Sequence, residues 1–177
     1  MNDKTSQPWP RHHRHSEIEQ RVDLAHQRSI GSPINSELRV TLLVKHNAWL
    51  MADSLNRTVE PFGISGVAYV AMMTLQSTPE NLANPSDLCF ITGETRSNMT
   101  RITDELVAKG LIKRVANEED RRRVDLSLTE EGMQLLREVV PKVRQRIDAA
   151  FAAFDDETKV VFENALIKLK QALEAQS

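Results

Sequence analysis

Apolar and polar positions alternate with two different periods along this chain, and the changes of period mark out its elements. From Ser36, the segment SELRVTLLVKHNAWLMADSLNRTVEPFG places Leu38, Leu42 and Trp49 at helical spacing, with Ser36 as candidate N-cap and Pro61 and Gly63 as stops. That pattern predicts a helix of about six or seven turns. A second, strongly apolar helix follows in SGVAYVAMMTLQS, with Ser65 as its cap. After a break at TPENLANP, the stretch PSDLCFI reads as a short helix opened by a proline, at a position where the missing N–H costs nothing. TGE is a tight turn, and Thr95 caps a further helix, RSNMTRITDELVAKG, that ends at Gly110. Met99, Ile102 and Leu106 fall on its inner face, which leaves Arg96, Ser97, Thr100, Arg101 and Asp104 outward or at the flank and Asn98 near the start.

The period then shortens to two. LIKRVA and RVDLSL are strand-like, the second alternating through Val124, Leu126 and Leu128, and NEEDRR between them is the turn of a β-hairpin. Thr129 caps another long helix with apolar points at Met133, Leu136, Val140, Val143, Ile147 and Phe154, interrupted by Pro141, which is expected to bend it. A last helix begins near Asp155 or Asp156 and carries Phe162, Leu166, Leu169 and Leu173. The first 35 residues are polar and punctuated by Pro8, Pro10, Gly31 and Pro33, so they read as a flexible extension outside the core, with a short helix available in EIEQRVDLAHQRSI. The fold class is therefore mainly α with a small β-hairpin. Its expected divisions are the extension 1–35, a long helix 36–60, a central block 61–130 and two C-terminal helices 131–177.

Length and composition narrow the classes. At 177 residues and 40% hydrophobic content the chain can bury a real core. Its longest apolar run, GVAYVAMMTL, is about half of what a membrane span needs. The opening residues hold no apolar segment that would act as a secretion signal, so a soluble, cytoplasmic protein is expected. The single cysteine, Cys89, excludes an internal disulfide framework. Flanked by Leu88 and Phe90, it reads as a buried inert thiol more readily than as a redox sensor. HHRH at 12–15 lies in a Pro-rich tail and reads as metal-free. No Ser/His/Asp arrangement, phosphate-binding glycine loop or HExxH is present, so no enzyme, metal or cofactor is expected.

Charge changes the picture more than its total of −2 suggests. Residues 95–123 carry 8 Lys/Arg against 5 Asp/Glu, whereas residues 1–93 carry 8 against 9 and residues 130–177 carry 7 against 9. The basic surplus thus falls in the one window that holds the Ser/Thr/Asn/Arg-bearing helix and the Arg-tipped hairpin, as expected of a local anion-binding surface. A short helix, a turn, a capped helix and a hairpin in that order make a winged helix-turn-helix. In that layout the second helix of the pair enters the DNA major groove, where Arg bonds guanine and Asn bonds adenine bidentately. The hairpin tip lies beside the duplex, where a narrow minor groove attracts arginine. The competing reading is an ordinary surface helix in a helical protein-interaction module. One recognition helix reads only a few base pairs, so a homodimer on two half-sites is expected, with the long helices supplying the twofold contact.

The segment SNMTRITDELVAKGLIKRVANEEDRRRVDLSLTEEG resembles the MarR family of transcriptional regulators, and the likeness extends over roughly Ser36 to Ala175. It rests on a recognition helix closing on a Lys-Gly-Leu type sequence, an Asp-Arg-Arg wing motif, and Leu-Thr-x-x-Gly opening the next helix. ETRSNMTRITDEL and LREVVPKV are most similar to the EmrR/MprA branch, which represses multidrug efflux operons. The resemblance implies that Asp120 holds the wing, that Arg122 enters the minor groove, and that Arg121 or Arg123 contacts phosphate. Arg96, Ser97, Asn98, Thr100 and Arg101 would face the major groove. It further implies a repressor on a pseudo-palindromic operator, released by a small lipophilic or phenolic effector. His46, Trp49, Tyr69, Met72 and Met73 are the pocket candidates, each also readable as plain core, and Arg39 or Lys45 would meet a ligand carboxylate. An aromatic-catabolic or oxidant-stress operon is the alternative target.

Overall fold

Two helices make up the first of two units, Met1–Asp53 and Ser54–Ser177, in the computed structural model, which describes residues 15–78, 81–117 and 124–176. α1 spans His15–Ile30, so the segment read as a short helix runs to 16 residues. Its end is tied back: Gly31 takes the left-handed conformation with φ 72°, and Asp23 Oδ1 accepts the Ile34 N–H at 2.8 Å, leaving Ile34 buried. α2 spans Ser36–Val59. Its cap is Asn35 and not Ser36, because Asn35 Oδ1 accepts the Leu38 N–H at 3.0 Å while Ser36 Oγ donates to its neighbour Glu37. Sequence reading placed the cap one residue late, at the second of two adjacent residues able to cap.

The second unit takes the last residues of α2 from Ser54 and adds the rest of the chain. A 3-10 turn at Glu60–Phe62 ends on Gly63 in the left-handed region, and α3, Gly66–Ser77, opens with Ser65 accepting the Ala68 N–H at 3.1 Å. β1 is only Leu82–Ala83. α4, Pro85–Thr92, is capped by Asn84, whose Oδ1 takes the N–H groups of Ser86 and Asp87 ahead of the expected early proline. α5, Arg96–Ala108, begins with Thr95 accepting the Asn98 N–H at 3.2 Å. β2, Ile112–Ala116, and β3, Val124–Leu128, pair antiparallel from Ile112↔Leu128 to Ala116↔Val124. α6, Glu130–Phe151, continues through Pro141, and α7, Asp156–Glu174, starts where Asp155 Oδ1 accepts the Thr158 N–H at 2.8 Å.

The sheet has three strands in the order β1-β3-β2, one more than the hairpin expected from sequence. β1 pairs through Leu82↔Ser127 and Ala83↔Leu126. Two residues are too few to show a period-two pattern, and Asn81 beside them holds a positive φ of 55°, so the strand sits in what reads as a turn.

One core holds the central block together. Val59, Met72, Leu75, Leu88, Met99, Leu106, Ile112, Leu126, Leu136 and Val139 are all fully buried and belong to a single cluster, so α3, α4, α5, the sheet and the first half of α6 pack as one body. Each such side chain contributes roughly 1.5–3 kcal/mol of hydrophobic stabilisation. Behind α5 a tight polar knot fixes the turn. Gly110, at φ 70°, lets the Leu111 N–H reach the Leu106 carbonyl at 3.0 Å, and Thr129 closes on that turn, its N–H on the Leu111 carbonyl at 3.2 Å and its hydroxyl 2.7 Å from the Gly110 carbonyl. The same hydroxyl oxygen accepts the Gly132 N–H at 3.0 Å, capping α6. Among the described residues no single helix is long and apolar enough to cross a membrane.

Candidate nucleic-acid interface

α5 divides into two faces for the reason its sequence predicts. Met99, Ile102, Thr103 and Leu106, spaced by three and four, are buried against the core. Rotated away from them, Arg96, Ser97, Thr100 and Arg101 are all exposed, and Asn98 is half-buried at the flank. α5 is thus held rigidly from behind while it presents one basic and hydroxyl-bearing surface. Arg96 makes no ion pair among the described residues, and Thr100 Oγ1 donates back to the Arg96 carbonyl at 2.8 Å.

A string of charge-assisted bonds runs along the flank of the helix. Glu94, in the turn before α5, accepts from Asn98 Nδ2 at 2.6 Å, and Asn98 Oδ1 in turn accepts from Arg101, at 3.0 Å from Nη2 and 3.3 Å from Nε. Arg101 Nη1 lies 3.7 Å from Glu105, and Glu105 takes a bond of 2.7 Å from Lys109 Nζ, which also donates to the Gly63 carbonyl at 2.5 Å. The Lys109 hydrogen bond and charge, with Arg101 nearby, hold the Glu105 carboxyl below its usual range. The i, i+4 spacing of Arg101, Glu105 and Lys109 was readable in the sequence. The link from Glu94 was not, because Glu94 lies outside the helix.

A second link joins helix to wing. Asp104 on α5 pairs with Arg114 on β2, so one basic residue of the positive window is turned to structural use. Further out, Asn117 Nδ2 donates to Asp125 Oδ2 at 2.7 Å across the base of the hairpin. Lys113 is exposed with no ion pair among the described residues. Asp120, Arg121, Arg122 and Arg123, expected at the wing tip, lie outside the described residues, as do Glu118 and Glu119.

The expected effector residues fall on two helices. Arg39, His46 and Trp49 lie on α2 within the first unit, the His46 and Trp49 rings stacked with centroids 5.8 Å apart. Tyr69, Met72 and Met73 lie on α3. Met72 is wholly inside the core cluster, Met73 packs against it, and Tyr69 is 9% exposed, burial raising the pKa of its phenol. The Tyr69 hydroxyl has no hydrogen-bond partner among the described residues. Cys89 is a free thiol, half-buried and packed against the core, and the described residues hold no group of three or more potential metal ligands.

Comparison with known proteins now settles the kinship. Residues 62–123, which contain α3, α4, α5 and β2, match the model of the MarR family. The transcriptional repressor MprA of Escherichia coli K12 is 33% identical over 138 residues, covering 78% of each chain. The chain belongs to the MarR family. Its kinship with MprA places it in the EmrR/MprA branch, and it is a DNA-binding transcriptional regulator and not an enzyme. The fold agrees: AbsC, a MarR family regulator from Streptomyces coelicolor, superposes with a TM-score of 0.71 at 21% identity, over 81% of this chain and 99% of that one. Sco3205 from the same organism, solved in complex with DNA, gives 0.71 at 22% identity over 79% and 90%.

Proposed function

We propose that this MarR protein is a homodimeric repressor that sets two α5 helices into successive major grooves of a pseudo-palindromic operator and leaves it when a small lipophilic or phenolic effector binds. The observation that carries the DNA-reading half is the split of α5, with Met99, Ile102 and Leu106 locked in the core and Arg96, Ser97, Thr100 and Arg101 exposed on one surface. Those side-chain types suit base edges and phosphates, and the Asp104–Arg114 pair fixes the wing beside them. On this reading Arg122 enters the minor groove, Arg121 or Arg123 meets phosphate, and Asp120 holds the hairpin.

Dimerisation is supported by what α7 leaves uncovered. It has no buried residue, and it exposes Val160, Val161, Phe162, Leu166, Ile167 and Leu173. A helix of 19 residues packed on so little of its own chain is marginal in water without a partner surface. The 36–60 and 131–177 segments then serve as dimerisation helices around a DNA-binding block at 61–130. The effector reading draws on Tyr69, a buried residue whose hydroxyl has no hydrogen-bond partner among the described residues and so gains from a ligand able to bond it. With MprA as a relative, a multidrug efflux operon is the target we favour, and the working compartment is the cytoplasm.

Binding of the full chain to the intergenic DNA beside its own gene, followed by fluorescence anisotropy, tests this. Arg122→Ala is expected to abolish tight binding while the circular dichroism spectrum and oligomeric state stay those of the parent. Unchanged affinity in that variant excludes the wing from the interface. A candidate phenolic compound is expected to release the DNA at concentrations that leave the dimer intact.

A further inference from the structure

The turn before the recognition helix holds an acid that neither composition nor helical periodicity assigns a task. Glu94 is half-buried, and its Oε2 accepts from Asn98 Nδ2 at 2.6 Å. That bond fixes which way the Asn98 amide faces. If the amide were reversed, its oxygen would confront the Glu94 carboxylate and its NH2 would confront the Arg101 guanidinium, two donors against each other. In the observed orientation, Asn98 Oδ1 accepts from both Nε and Nη2 of Arg101, at 3.3 and 3.0 Å. Adenine recognition by asparagine needs the amide oxygen to accept from N6 while the NH2 donates to N7. Asn98 has its oxygen engaged by Arg101 and one amide proton engaged by Glu94, so it is not disposed for that bidentate contact.

Arg101 is in the opposite position. Its side chain is 67% exposed, its inner edge is pinned by Asn98, and Glu105 lies 3.7 Å from Nη1. Asn98 Oδ1 takes up Nε and one proton of Nη2, so the remaining Nη1 and Nη2 protons of this exposed side chain are the donors left for guanine O6 and N7, on a guanidinium whose rotamer is already chosen. Holding a long, flexible arginine in its binding geometry reduces the side-chain entropy lost on contact.

We propose that Glu94 is a specificity-determining positioning residue: acting through Asn98, it presets Arg101 as the guanine reader of α5. The proposal rests on α5 being the base-reading helix. It makes Asn98 a support for the reader, where the sequence alone suggested an adenine contact.

Selection of a random-sequence duplex library on full-length protein, read out by sequencing, tests both levels separately. The parent is expected to enrich a half-site with guanine at one position, and Arg101→Ala to erase that preference. Glu94→Ala and Asn98→Ala are each expected to reduce discrimination at that same position on the order of tenfold, other positions being retained. Glu94→Gln removes the charge but keeps a side-chain acceptor for Asn98, so it is expected to preserve the preference. Both Glu94 variants remove a negative charge near phosphate and are expected to bind non-specific DNA equally or more tightly. If Glu94→Ala keeps the parental preference, or Glu94→Gln loses it as fully as alanine does, positioning through the hydrogen bond is overturned. If Arg101→Ala leaves the enriched half-site unchanged, the assignment of Arg101 fails and the proposal goes with it.

Discussion

Gly132 is the residue at which local sequence and long-range packing meet most tightly. A Cβ placed there would stand 2.1 Å from the Leu111 carbonyl oxygen, a backbone atom that already accepts the Thr129 N–H at 3.2 Å. It cannot move aside without opening the turn that ends α5. Gly132→Ala is therefore expected to destabilise the fold by about 2 kcal/mol, the overpacking cost exceeding the roughly 1 kcal/mol that alanine gains over glycine inside a helix. Urea unfolding checks it: the midpoint should fall with the slope unchanged, and a midpoint equal to the parent's would show that the carbonyl yields freely. The motif LTEEG was legible in the sequence, and Thr129 was correctly read as a cap. What made its glycine necessary was not legible, because the atom it avoids lies 21 positions earlier in the chain. Glu94 was opaque for a related reason: a carboxylate in a turn acquires meaning only once the amide it faces is placed.

Elements that carry a period or a capping signal were read well, the short α4 and the five-residue strands β2 and β3 among them, and the two-residue β1 was not. α3, α5, α6 and α7 begin at or next to the caps their sequences announce, whereas β1 passed for a turn. The caps also make α7 sensitive to acid. The Asp155 carboxylate accepts from the Thr158 hydroxyl and backbone N–H, and those bonds lower its pKa from the usual 3.8. A folded pKa below the unfolded one means the cap stabilises α7 above the unfolded value, and this is lost as the pH falls through the depressed folded value. Hydrogen exchange at the Thr158 amide is thus expected to accelerate on acidification past pH 3.8 relative to amides in the middle of the helix, after correction for the intrinsic rate. Asp155→Asn keeps a capping oxygen that does not titrate, so it should remove this pH dependence. If the asparagine variant shows the same acid response, the fraying has another source.

At the scale of the whole molecule the deciding feature is apolar surface that the single chain does not cover. α7 and the end of α6 frame a groove of about 490 Å3 lined by Phe151, Phe162, Leu166 and Ile167 together with Lys159, Glu163 and Lys170. Phe154 stands between the two helices, its ring 5.7 Å from Phe151 and 6.4 Å from Phe162. Each of these side chains would contribute on the order of 1.5–3 kcal/mol if a second copy covered it, so a handful suffices to hold a dimer. Leu166 is 40% exposed, so Leu166→Glu costs the isolated chain little. In a twofold interface it places two carboxylates in apolar surroundings, where burying either is strongly unfavourable. Sedimentation is expected to show a dimer for the parent and a single-chain mass for the variant. Because joining two half-site readers raises their effective concentration, operator affinity should fall by roughly 100-fold or more, while weak salt-sensitive binding to any duplex persists. A Leu166→Glu protein that still sediments as a dimer and keeps its operator affinity would remove α7 from the interface.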